Sequence, residues 1–182
     1  MVLPRRPAGL VVTPGASADR DHSTLVMIEE ALDIPVCRLT LGTTSVPRAV
    51  TKIVEAVQSF ADELKVSTRE LVIGGRSFGG RACSVAASEG LLVGGLLLLS
   101  YPLHPPGKPD KLRVDHFGQI EVPTLFISGE KDPFGRPDEF EAHVGAISGP
   151  TELQWVPGAH SPKGNQERAV VELVVDALAP QR

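Results

Sequence analysis

The chain has 182 residues, 42% of them hydrophobic and 22% charged, with 18 Lys and Arg against 22 Asp and Glu. That length predicts one domain, large enough to bury a core without disulfides or metals. The net charge of −4 excludes the basic stripe a phosphate backbone needs, and the longest apolar run, residues 91–99, is too short to cross a bilayer.

Along the chain, short β-rich runs alternate with helix-length segments. Arg5-Arg6, an apolar stretch and Ala16-Ser17-Ala18 imitate a signal peptide. Residues 8–12 are too few for its apolar region, however, and Pro7 and Pro14 bracket them, so Gly9–Thr13 reads as a strand. A cytoplasmic location is the default expectation. Residues 23–32 place Leu25, Ile28 and Leu32 at helical spacing, and residues 35–41 read as a second strand closed by Gly42. From 47 to 64, Val50, Ile53, Val54, Val57, Ala61 and Leu64 recur at intervals of three and four, the mark of an amphipathic helix. Residues 70–73 form a third strand, leading through a Gly-rich turn into a helix at Phe78–Ser88. A fourth strand covers 91–100, apolar on both faces, followed by a Pro-rich loop over 101–109. Strands at 123–128 and Thr151–Val156 and helices at 137–147 and 166–178 complete the pattern. Cys37 in a strand and Cys83 in a helix read as buried, reduced thiols.

This alternation predicts a single-domain α/β fold over residues 1–182. It is a doubly wound, mostly parallel sheet of about six strands with helices on both faces. In such sheets a ligand sits beyond the carboxyl ends of the strands.

The sharpest motif stands at such an end: Gly75-Arg76-Ser77-Phe78-Gly79 fits G-x-S-x-G, with a strand before it and a helix after. That context forces the serine onto a strained turn with its hydroxyl exposed. The pattern also overlaps a phosphate loop, but Gly80-Arg81 stands where Lys-Ser/Thr would be required. A serine nucleophile needs a base, and the base an orienting acid. Asp132 follows the fifth strand, with Glu130 as the competing carboxylate, and His160 alone of the histidines follows the last strand. Ser77, Asp132 and His160 thus occur in the chain order this architecture uses. The backbone N–H of Phe78 and that of Ala16, with Ser17 as its neighbouring alternative, are the candidate oxyanion donors.

These residues resemble the α/β-hydrolase superfamily over nearly the whole chain. Within it the chain is similar to small dienelactone-hydrolase-like proteins, which include the testis-expressed type and are related to the third subunit of the non-specific-lethal complex. The likeness is carried by Thr13-Pro14-Gly15-Ala16, by residues 75–81, by residues 100–109 and by residues 126–135. It implies Ser77 as nucleophile, Asp132 as acid and His160 as base. The chain departs in having Pro14 where members carry His, in starting at what resembles the superfamily's third strand, and in lacking an inserted cap domain.

An uncapped site favours a small ester or lactone as substrate. Tyr101, Leu103 and His104 are candidates to line its pocket, and Arg76 to attract a carboxylate. Arg81 is a candidate to pair with an acidic residue at the core's rim. No metal or organic cofactor is implied, and the association of two copies as a homodimer is left open. The alternative reading is a hydrolase scaffold that binds protein with little turnover.

Overall fold

The computed structural model describes residues 2–179, whose strands are β1 (Gly9–Thr13), β2 (Val36–Arg38), β3 (Leu71–Arg76), β4 (Gly95–Leu99), β5 (Thr124–Gly129) and β6 (Thr151–Val156). The helices are α1 (Ser23–Ala31), α2 (Val46–Leu64), α3 (Phe78–Ser88), α4 (Pro137–His143) and α5 (Asn165–Leu178). All six strands form one sheet in the order β2-β1-β3-β4-β5-β6, and every pairing is parallel.

Strands buried on both faces must be largely apolar, and β1, β3, β4 and β5 are, with Thr13, Arg76, Thr124 and Ser128 as polar residues at or near their ends. One face packs against α2 and α3 through Ile53, Val57, Ala82 and Cys83, and the other against α1 and α5 through Leu25, Ile28, Val170 and Val174. In α2 the buried stripe is Ala49, Val50, Ile53, Val57, Phe60 and Ala61. Val54, expected on that stripe, lies beyond its edge at 39% exposure.

Two strands are shorter than their composition predicts. β4 begins only at Gly95, because pairing with β3 starts where Gly94 N–H donates to the Leu71 carbonyl at 2.7 Å. The preceding Leu92 is left 51% exposed. β2 is an edge strand of three residues and leaves Cys37 half-buried, whereas Cys83 is fully buried as expected. The β4–β5 connection has no α-helix. Its 3-10 turn at Phe117–Gln119 inserts Phe117 beside Tyr101 and Phe126, with ring centroids 5.7 and 6.2 Å away. Edge contacts continue from Phe126 to Phe140 and from Phe140 to Trp155, each at 5.5 Å.

The chain leaves β1 toward β2 and returns on the other side to β3, so the loops after β1 and β3 diverge over a crevice. The site lies there.

Candidate active site

Ser77 joins β3 to α3 with φ 51° and ψ −117°, a conformation costing a non-glycine residue about 1–3 kcal/mol. The turn is held on both sides. Ser77 N–H donates to the Leu99 carbonyl of β4 at 2.8 Å, and the Ser77 carbonyl accepts from Arg81 N–H at 3.0 Å. The flanking glycines are steric requirements: a Cβ at Gly79 would collide with Thr13 Oγ1 and the Pro14 carbonyl, and one at Gly80 would lie 2.6 Å from the Gly75 carbonyl. The β1 loop can therefore press directly against the start of α3.

The Ser77 hydroxyl points at His160, with Oγ 2.9 Å from Nε2. On the ring's far side Nδ1 lies 2.8 Å from Asp132 Oδ2. Asp132 is 1% exposed, and its other oxygen accepts the Phe134 N–H at 2.9 Å. Glu130, two residues earlier, is exposed, so of the two carboxylates Asp132 meets the imidazole. The β5 and β6 loops are tied together where Lys131 N–H donates to the Gly158 carbonyl at 2.8 Å. Phe134 stacks on the His160 ring with centroids 4.0 Å apart, closing one face of it. Three side chains from the ends of β3, β5 and β6 thus form one unbroken hydrogen-bonded relay.

A cleft of about 310 Å³ opens beside Ser77, lined by Ala16, Thr44, Phe78, Arg81, Pro102, Arg113 and Phe134. Ala16 and Phe78 border it as expected, and neither backbone N–H donates to a backbone carbonyl among the described residues.

The substrate-lining expectations are corrected. Tyr101 and Leu103 are fully buried, and the Tyr101 hydroxyl donates to the Arg113 carbonyl at 3.0 Å. The chain turns inward straight after β4, so these side chains fill the core instead of the cleft. His104 is 4% exposed, its Nε2 lies 3.0 Å from Glu139 Oε1, and it does not line the Ser77 cleft. Arg76 is half-buried and does not line the cleft: its Nη2 donates to the His160 carbonyl at 2.8 Å and to Ser161 Oγ at 2.6 Å. Burial pulls the Arg76 guanidinium below the usual arginine range, against the opposing charges of Asp132 and Glu167. Among the described residues Arg81 meets no acidic partner within ion-pair distance. Cleft residues the motif did not reveal are Thr44, Pro102, Arg113 and Phe134. Of these, Pro102 and Phe134 stood within stretches that carry the family likeness, whereas Thr44 and Arg113 stood in none.

Two further histidines, His22 and His116, serve the fold. His22 caps α1, accepting from Thr24 N–H at 3.3 Å. His116 Nε2 lies 2.8 Å from Ser84 Oγ, which itself donates to the Arg81 carbonyl, so the imidazole is the donor in that contact. Burial, and then the charge of Arg81, hold the His116 pKa down at about 4. Among the described residues no group of three or more His, Cys, Asp or Glu is placed to hold a metal, and no helix is long and apolar enough to cross a membrane.

The profile of the alpha/beta hydrolase domain family matches residues 7–171. Among solved structures, a dienelactone hydrolase from Anabaena variabilis is 19% identical, with 96% of this chain and 87% of that one covered at a TM-score of 0.75. Est1E from Butyrivibrio proteoclasticus is 18% identical over 96% of this chain and 89% of its own, with a TM-score of 0.72. An alpha-beta serine hydrolase homologue from Coxiella burnetii is 16% identical over 97% and 88%, with a TM-score of 0.76. At these identities the structural likeness speaks for the fold. Kinship to the third subunit of the non-specific-lethal complex is carried by neither comparison.

Proposed function

We propose that this chain, which belongs to the α/β-hydrolase family, is a serine hydrolase that cleaves small carboxylic esters or lactones through an acyl-enzyme. The observation that carries this reading is the Ser77–His160–Asp132 relay, with contacts of 2.9 and 2.8 Å, on a strained turn at the switch point of the sheet.

Each member has one task. His160 Nε2 takes the Ser77 proton as Oγ bonds to the carbonyl carbon, giving a tetrahedral oxyanion. The Phe78 and Ala16 N–H groups face that oxygen, where one such donor is typically worth roughly 2.7–4 kcal/mol. Collapse breaks the bond to the alkoxy oxygen, which leaves with the proton from His160. Water then repeats the sequence, and the acid and Ser77 are regenerated. Asp132 fixes the tautomer that keeps Nε2 free to accept, and it stabilises the imidazolium. It is suited to this because it is buried and, among the described residues, its carboxylate accepts one other hydrogen bond, from Phe134 N–H. Arg76 and the Phe134 ring position the imidazole from its backbone side and its face. The small, uncapped cleft and the likeness to a dienelactone hydrolase support esters and lactones over long-chain lipids.

The test is hydrolysis of p-nitrophenyl acetate and of a small lactone. The native chain is expected to turn over both, and His160→Ala to lose at least about a thousandfold in kcat. A folded native chain that hydrolyses neither, nor any ester in a wider series, overturns the reading in favour of a protein-binding scaffold.

A further inference from the structure

The Ser77 cleft carries two guanidinium groups that have no acidic partner among the described residues. Arg81 lies one helical turn past Ser77 on α3, and Arg113 enters from the β4–β5 connection. Both line the same cleft as Ser77, Ala16 and Phe78. Arg81 Nε is buried without a hydrogen-bond partner. Among the described residues, neither side chain stands within ion-pair distance of a carboxylate.

This is an unfavourable arrangement unless something else completes it. A buried donor left unpaired loses its water without compensation, and two like charges near one another repel. Burial first, and then the charge of Arg81, pull the Arg113 guanidinium below its usual range. Neutral His116 supplies no counter-charge, and Asp115 beside it is exposed. Elsewhere the protein answers its partly buried arginines: Arg38 meets Glu29 at 2.7 Å and Asp21 at 2.8 Å, and Arg76 meets the His160 carbonyl and Ser161. The two guanidiniums of the cleft are the contrast, and they stand where a substrate must lie.

We propose that Arg81 and Arg113 form an oxyanion-binding subsite of the Ser77 cleft, so that the substrate is an ester or lactone bearing a free acidic group, carboxylate or phosphate. Guanidinium groups suit such oxygens because their N–H donors match the geometry and stay charged. The cleft's volume of about 310 Å³, at the small end of ligand pockets, puts the acidic group and the scissile carbonyl in one small molecule. The ester half of this inference rests on the hydrolase reading; the anion subsite does not.

The experiment therefore measures binding without turnover. Ser77→Ala protein is titrated calorimetrically with monomethyl glutarate, neutral dimethyl glutarate and methyl phosphate. The acid is expected to bind roughly 10- to 100-fold tighter than the neutral diester. That ratio should fall toward one when Arg81→Gln or Arg113→Gln is added, and Arg81→Lys should retain part of it. Methyl phosphate binding more tightly than the carboxylate would assign the acidic group as a phosphate. Equal binding of both glutarate esters, no measurable binding of either acid, or a ratio unchanged in both variants overturns the subsite. Arg113→Gln, in a loop, keeps the test standing if Arg81→Gln does not fold. Charge-selective binding by a native chain that hydrolyses no ester would overturn the hydrolase reading alone.

Discussion

The two flanks of the Ser77 cleft are built on opposite terms. On the His160 side the members of the relay are answered in turn: Ser77 by His160, His160 by Asp132, Asp132 by the Phe134 N–H, and the His160 carbonyl by Arg76. On the other side Arg81 and Arg113 line the cleft with no protein acceptor for Arg81 Nε. The first flank is complete without a ligand, as preorganised catalytic groups must be, since any reorganisation during reaction would raise the barrier. The second is incomplete, as a recognition surface is before its ligand arrives.

Substitutions break this comparison at different depths. Ser77→Ala removes the reacting atom and should lower kcat by roughly 10⁴–10⁶-fold, with the thermal midpoint within a few degrees of native. Asp132→Asn keeps the shape but holds the wrong tautomer, for an expected loss of roughly 10⁴-fold in kcat. Steady-state kinetics beside Glu130→Gln, expected to stay within about twofold, checks the assignment of the acid. Retained activity in Asp132→Asn would move that role to Glu130.

Arg76→Ala frees the loop that carries His160, and a misplaced base costs roughly 10- to 100-fold in kcat with KM little changed. Partial recovery in Arg76→Lys, which can still donate to the His160 carbonyl, separates positioning from a general loss of stability. A rise in KM alone would return Arg76 to the substrate-binding role first expected of it.

Beneath the open flank the effects are smaller and fall on stability. The His116 pKa is held below its ordinary value, at about 4, so between about pH 6.5 and pH 4 the unfolded chain binds a proton that the native one does not. Stability should therefore fall as pH drops through that window. With solvent screening of this partly exposed ring, the loss is about 1–2 kcal/mol. Denaturant titrations at pH 4.5 and 7 should show His116→Gln flattening the slope. An unchanged slope would mean that the ring is freely solvated. Tyr101→Phe removes the bond to the Arg113 carbonyl and should cost about 1 kcal/mol. Its kcat/KM toward a neutral ester should stay within about threefold; a larger change would restore Tyr101 to the cleft.

What the sequence made legible follows the range of each interaction. β1, α3 and β6 match their expected bounds, because strand and helix periods are local. The order of Ser77, Asp132 and His160 was readable because each residue closes a strand at the same edge of the sheet. Arg76 was misjudged because its partners lie 84 and 85 residues away, with no local trace. Tyr101 and Leu103 were misjudged because a loop's position says which edge it borders, not which way its side chains turn. Arg113 lay outside every motif, and only folding the β4–β5 connection back over α3 brings it beside Arg81. The flank proposed as catalytic was readable from chain order; the flank proposed for recognition needed the tertiary structure.

The most direct test of an activated serine is the intact mass of the protein after treatment with a fluorophosphonate, followed by peptide mapping. One adduct per chain, located on Ser77 and absent from Ser77→Ala and strongly slowed in His160→Ala, is the expected result. No adduct on the folded native chain, or an adduct that persists in Ser77→Ala, would contradict it.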